Sequence, residues 1–170
     1  MGTQVIDLFG HELRALYGAE RQRVGVLNKM AAAASDEELS EFFRRQVEAT
    51  TQAVGRLEQA FAEAGLPWEA EAGQAMRCLV EEAEQTIVHR GDRRVLDLAI
   101  IATARRMEHL QMACYRTACN LADHLQMHSA HERLRVTLDD TFAADRELER
   151  LCSALLNGQM ADSISNKGDS

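Results

Sequence analysis

The chain is poor in proline, aromatics and unpaired basic charge, and each shortage excludes something. A single proline in 170 residues leaves long stretches free to remain helical. No uncharged run approaches the roughly 20 residues needed to cross a bilayer. The first residues, Met-Gly-Thr-Gln-Val-Ile-Asp, lack a basic segment followed by an apolar one, so no signal peptide is expected. The four cysteines, Cys78, Cys114, Cys119 and Cys152, form no Cys-x-x-Cys pair and no zinc spacing. Reduced thiols in a cytoplasmic protein are the reading that fits. Basic residues number 19 against 27 acidic ones, for a net charge of −8. That balance argues against nucleic acid or an anionic membrane as a partner. Strand-like alternation, a glycine-rich phosphate loop and an internal repeat are all missing.

What remains is rich in alanine, leucine, glutamate and arginine, the composition of an all-helical domain. Five helices are expected. Helix A runs from about Gln4 to Ala34, with the stripe Leu8/Phe9, Leu13, Leu16/Tyr17, Glu20, Val24, Leu27 and Ala31. Ser35 and Glu38 form a capping box that opens helix B, about Asp36 to Ala64. Gly65-Leu66-Pro67 closes it. A shorter helix is expected between Trp68 and His89. Gly91 and Asp92 then separate it from helix C, about Asp92 to Gln126. Helix D follows from about Ala130 to Leu156. Residues 157–170 are polar and are expected to be a disordered tail beyond the 1–156 domain. Short A–B and C–D loops make two antiparallel hairpins. The long B–C link is the crossover of a ferritin-like up-down four-helix bundle, here with an extra short helix.

The anomaly lies on the inward stripes. On helix C, Ile101, Ala104, Met107, Glu108, Gln111, Tyr115 and Ala122 share one face. A carboxylate there is costly unless something pairs with it. Helix A repeats the anomaly at Glu20 and helix D at Asp145. Three carboxylates meeting in the core need protons or a cation to neutralise them. In di-iron carboxylate bundles, each of two helices gives one Glu and each of the other two gives Glu-x-x-His. Helix B offers only Gln46, Ala49, Thr50 and Ala53 at inward positions. Three readings follow: a metal-free polar cluster, a single weak metal, or a di-metal centre. In the first, Glu20, Glu108 and Asp145 join Gln111, Tyr17, Tyr115 and Thr141, with a shared proton or an arginine entering from the edge.

Other polar residues read more simply. His124, His128 and His131 flank the C–D turn, which breaks any common helical face. His109 follows Glu108 as a supporting partner or an interface residue. Cys114 and Cys119 have no His and Asp spaced to activate them. Arg44-Arg45 and Arg105-Arg106 fit solvated faces or the edge of a dimer.

The chain also resembles the YciF/YciE-type family of bacterial ferritin-like proteins across about residues 5 to 155. The resemblance rests on Asp7-Leu-Phe, Glu12-Leu-Arg-Ala-Leu-Tyr-Gly-Ala-Glu20, Lys29-Met30-Ala, Arg56-Leu57-Glu58-Gln, Ala75-Met76, Met107-Glu108-His109, Tyr115, and Thr137-Leu138-Asp139-Asp140 with Asp145. It implies a homodimeric ferritin-like bundle, a di-metal centre and a link to stress responses. Glu20 and Glu108 match its acidic ligands, and Asp145 a late acidic position. The family usually has His at Gln46, Glu at Ala49, and Gln or His at Ala53. It usually has Glu at Gln111 and Thr141, and proline at Asn28. The expectation is a cytoplasmic, non-catalytic dimeric scaffold or partner-binding protein with a degenerate metal centre, holding no metal or weakly bound iron or manganese. The alternative is an enzyme acting on oxygen or peroxide through iron or manganese held by Glu20, Glu108 and Asp145. A helical module for an unidentified protein partner is the third class.

Overall fold

The computed structural model describes residues 2–70, 73–88 and 91–165, and among them the only regular elements are helices. They are α1 (Gly2–Ala33), α2 (Glu37–Ala64), α3 (Gln74–Ile87), α4 (Arg93–His124) and α5 (His128–Ser165). The four long helices are the A, B, C and D of the sequence, and α3 is the crossover helix.

Several ends follow from local chemistry. Gly65 ends α2 with φ 66, and its N–H and that of Leu66 donate back to Ala62 and Phe61. That left-handed geometry suits a residue without Cβ. Asp92 starts α4 by accepting from the N–H groups of Arg94 and Val95. The α4–α5 turn is so tight that Gln126 takes a φ of 58. It separates His124, on α4, from His128 and His131, on the first turn of α5.

Three expectations are corrected. The α2 start is no capping box: Asp36 caps it by accepting from Leu39 N–H at 2.9 Å, while Ser35 turns to Asp97 on α4. The crossover helix begins at Gln74 rather than near Trp68: residues 66–70, after Gly65, take no regular structure. Its expected end at His89 lies outside the described residues. Finally, α5 continues past Leu156 to Ser165. Gly158 alone does not stop a helix that continues with Gln159, Met160 and Ala161. Residues 166–170 of the expected tail lie outside the described residues.

The cross-helix pairs fix the directions. Ser35 meets Asp97 and Arg23 meets Glu108, while Glu38 meets Arg150 and Arg56 meets Asp140. Short loops fold α2 back on α1, beside Tyr17–Glu58, and α5 back on α4, beside Arg105–Asp145. Each neighbouring pair of long helices is therefore antiparallel, in the order α1, α2, α5, α4 around the core. Helix α3 runs along the outside against α1 and α4.

The buried faces are those the apolar periodicity marked. All seven inward positions of α4 are buried. The apolar core falls into two clusters. One gathers Val26, Leu27, Leu39, Phe42, Phe43, Ile100 and Leu148 near the α1–α2 loop. The other gathers Phe9, Leu13, Leu57, Phe61, Tyr115 and Leu134 near the α4–α5 turn. Burying a side chain of this size contributes about 1.5–3 kcal/mol before entropy is charged. Between the clusters the core is polar.

Candidate polar core site

The layer between the clusters is built on α1 and α4. Glu20, Arg23, Glu108 and Tyr115 are each exposed by 3% or less. Glu20 and Arg23 stand three residues apart, so one turn of α1 carries both charges. Arg23 Nη1 donates to Glu20 Oε2 at 2.9 Å, and Nη2 donates to Glu108 Oε1. Tyr115, about two turns further along α4 than Glu108, donates its hydroxyl to Glu20 Oε1 at 2.8 Å. The guanidinium thus lies between the two carboxylates, and the phenol takes up a further oxygen.

Two carboxylates and one guanidinium leave an imbalance in a dry interior, and it appears in the titration. Burial pushes the Glu108 carboxyl up to about 7, against the opposing pull of Arg23, with Glu20 adding to the rise. Burial works against the charged form of Arg23, but Glu108 and Glu20 outweigh it and hold its basicity above the ordinary value. Burial, then Glu20, raises Tyr115 well above a free phenol, so it serves as a donor.

Asp145 does not join this cluster. It is half-buried at the α4–α5 edge, where Arg105 Nε donates to Oδ1 at 2.7 Å and His109 Nε2 lies 3.3 Å away. The Arg105 hydrogen bond holds its carboxyl below the usual range. Its place on the stripe is one position off the inward line, and Arg105 reaches it more easily than the core does. His109 therefore supports Asp145 rather than Glu108. Tyr17 also leaves the expected cluster, donating to Glu58 at 3.0 Å. Gln111 is buried as expected, yet its Nε2 finds no hydrogen-bond acceptor. Thr141 donates to the Thr137 carbonyl in its own helix.

Two decisive residues were not singled out from the sequence. Arg23 is one; the signal was its i+3 relation to Glu20, which places it on the inward face. Asp97 is the other, one of the most buried acids at 1% exposure. It precedes Ile101, Ala104 and Glu108 at spacings of four, three and four, so it too lies on the inward stripe. It accepts from Ser35 N–H, Ser35 Oγ–H and Asp36 N–H at 2.8, 2.6 and 3.0 Å.

A small cavity of about 20 Å³ adjoins the cluster, lined by Arg23, Glu108, Gln46, Ala49, Thr50 and Thr141 among others. It has room for about one water. A wider groove between α2 and α5 shares Gln46, Ala49 and Asp140 with it. Among the described residues, no three His, Cys, Asp or Glu side chains gather in a group able to hold a metal ion.

The donor set does not fit a pair of metal ions. A bridged pair needs several free carboxylate oxygens or imidazoles around one point. Here α2 supplies only amide, methyl and hydroxyl groups, and α5 adds hydroxyls and one carboxylate, Asp140, which is already paired with Arg56 at 3.0 Å. The two carboxylates that face the centre are already bound to a fixed cation.

These features define a class: an all-α protein of two antiparallel helical hairpins joined by a helical crossover, with a charged layer in its core. The family described as Domain of unknown function (DUF892) matches residues 4–161, and the chain belongs to it. Protein YciF of Escherichia coli (strain K12) is 36% identical over 146 residues, covering 85% of this chain and 88% of that protein. The crystal structure of the E. coli stress protein YciF superposes with a TM-score of 0.87 at 34% identity, covering 90% of this chain and 97% of that one. YcfI of Rhodopseudomonas palustris, provisionally described as structural, gives 0.82 at 32% identity, over 85% and 92%. No helix among the described residues is long and apolar enough to cross a membrane.

Proposed function

We propose that the chain is a ferritin-like four-helix protein of the YciF type with a degenerate metal centre. In this reading it is a non-catalytic dimeric scaffold or partner-binding protein of the bacterial cytoplasm, linked to stress responses. The observation that carries the reading is the Arg23 guanidinium held between Glu20 and Glu108. Ligand-poor Gln46, Ala49, Thr50 and Thr141 around the same cavity support it. The stress link comes from the description of the E. coli relative. The ferritin-like assignment is supported by the antiparallel order of the long helices and the crossover between the hairpins.

The test is metal analysis of the full chain refolded with iron(II) or manganese(II) and then desalted. The expected outcome is no stoichiometric metal. About two ions per chain, lost in Glu108→Ala, would overturn the reading in favour of a di-metal enzyme acting on oxygen or peroxide.

A further inference from the structure

We infer that Arg23 is the resident counter-ion of a cation site: Glu20 and Glu108 form a buried two-carboxylate cradle that the chain fills with its own guanidinium, and that takes up a small cation from solution when this side chain is removed. The inference rests on the metal-poor reading above but concerns a different chemical entity, the vacancy left behind Arg23.

Three observations carry it. First, the cradle is a built site. Glu20 is 0% exposed and Glu108 2%, on different helices, and both carboxylates turn to one guanidinium. Second, the cradle is positioned from behind: Tyr115, itself fully buried, holds Glu20 Oε1 at 2.8 Å. Third, Arg23 is not fully satisfied. Its Nε has no acceptor although it is out of contact with solvent. The two terminal nitrogens, which face the carboxylates, are the ones engaged, so charge neutralisation is the role the geometry favours. The adjoining cavity and the α2–α5 groove beside it give a small ion a route from outside.

The physics sets the guest. Two carboxylates presented to a planar fork select guanidinium itself, which restores the same hydrogen bonds. A divalent ion supplies the charge without that geometry. Removing Arg23 alone takes the counter-charge from a buried acid pair, a costly defect that protonation of Glu108, already pushed up by burial, only partly relieves.

The experiment uses the full chain and the variant Arg23→Ala, with guanidinium chloride at low millimolar concentration as the probe and equal sodium chloride as the control. The variant should melt well below the wild type. Guanidinium should raise its melting temperature by about 3–5 °C per tenfold concentration once binding saturates, and should leave the wild type unmoved. Manganese(II) in place of guanidinium distinguishes a site that reads charge from one that reads the planar fork, and uptake of either supports the cradle. A folded Arg23→Ala that responds to neither overturns the inference without touching the metal-poor reading, which stands on the wild-type metal content. Should Arg23→Ala not fold, Arg23→Met is compared in the wild-type background and with Glu20→Gln and Glu108→Gln. Folding recovered in the background without carboxylates supports the counter-ion role. An equal loss in both backgrounds shows that Arg23 acts by packing and overturns it.

Discussion

Glu108 is held by two opposed forces. Burial favours its neutral form, and the neighbouring guanidinium favours the charged one. Burial prevails, so the folded-state value, about 7, lies above the ordinary 4.5. Between these two values the folded chain binds the proton that the unfolded chain has released. The Glu108 contribution is therefore fully present below about pH 4.5, is lost as pH rises, and levels off above about 7. The loss is on the order of 3 kcal/mol. Asp145 has the opposite sign: its lowered value gives stability above the ordinary 3.8 that is lost on acidification. Melting temperatures across pH 5 to 7.5 should fall for the wild type. They should stay nearly flat for Glu108→Gln, which keeps an acceptor for Arg23 without the charge. An unchanged slope in the variant would show that Glu108 is not the group responsible. At this scale the sequence exposed the anomaly at Glu20 and Glu108 and offered a proton or an arginine as its remedy, but did not single out Arg23. An arginine three residues from a buried glutamate points inward only if the neighbouring helix brings a second carboxylate to meet it.

Among the elements, the α1–α2 loop shows how a helix can be tied by a residue far along the chain. Asp97 sits on the first turns of α4 and receives two backbone N–H groups and one hydroxyl from Ser35 and Asp36. This fastens the top of one hairpin to the start of the other. Asp97→Ala removes the shared acceptor of those donors, which lie on exposed Ser35 and half-buried Asp36, a cost of about 1–2 kcal/mol. The expected signature is a lower urea midpoint with an unchanged slope. A change below about 0.5 kcal/mol would mean that water replaces the carboxylate. The helix count, the Gly65 and Asp92 ends and the inward faces were legible in the sequence, because they follow from residues a turn or two apart. The Ser35-to-Asp97 tie was not: the local pattern offered Ser35 and Glu38 as a capping box, and a carboxylate some sixty residues away took Ser35 instead.

At the scale of the whole molecule, the two apolar clusters meet only across the charged layer, and that layer holds α1 to α4. The dimer we propose belongs to this scale. Sedimentation at micromolar concentration should give twice the 19.0 kDa chain mass. A species of one chain mass that persists to high concentration would remove the dimer from the scaffold reading, leaving the partner-binding form. Full separation of the scaffold and partner-binding readings then rests on what the protein engages in its host.

By itself, the sequence determined an all-helical protein with long amphipathic elements and at least two acids on inward faces. Helical periodicity and capping act over a few residues, so a single chain carries that information completely. The tertiary structure alone decided which charges meet. It moved Asp145 out to Arg105 and His109, turned Tyr17 to Glu58, and set Arg23 between Glu20 and Glu108. The reason is that a buried charge takes the nearest opposite charge the packing presents, and that choice is made between helices, where the spacing along one helix has no authority.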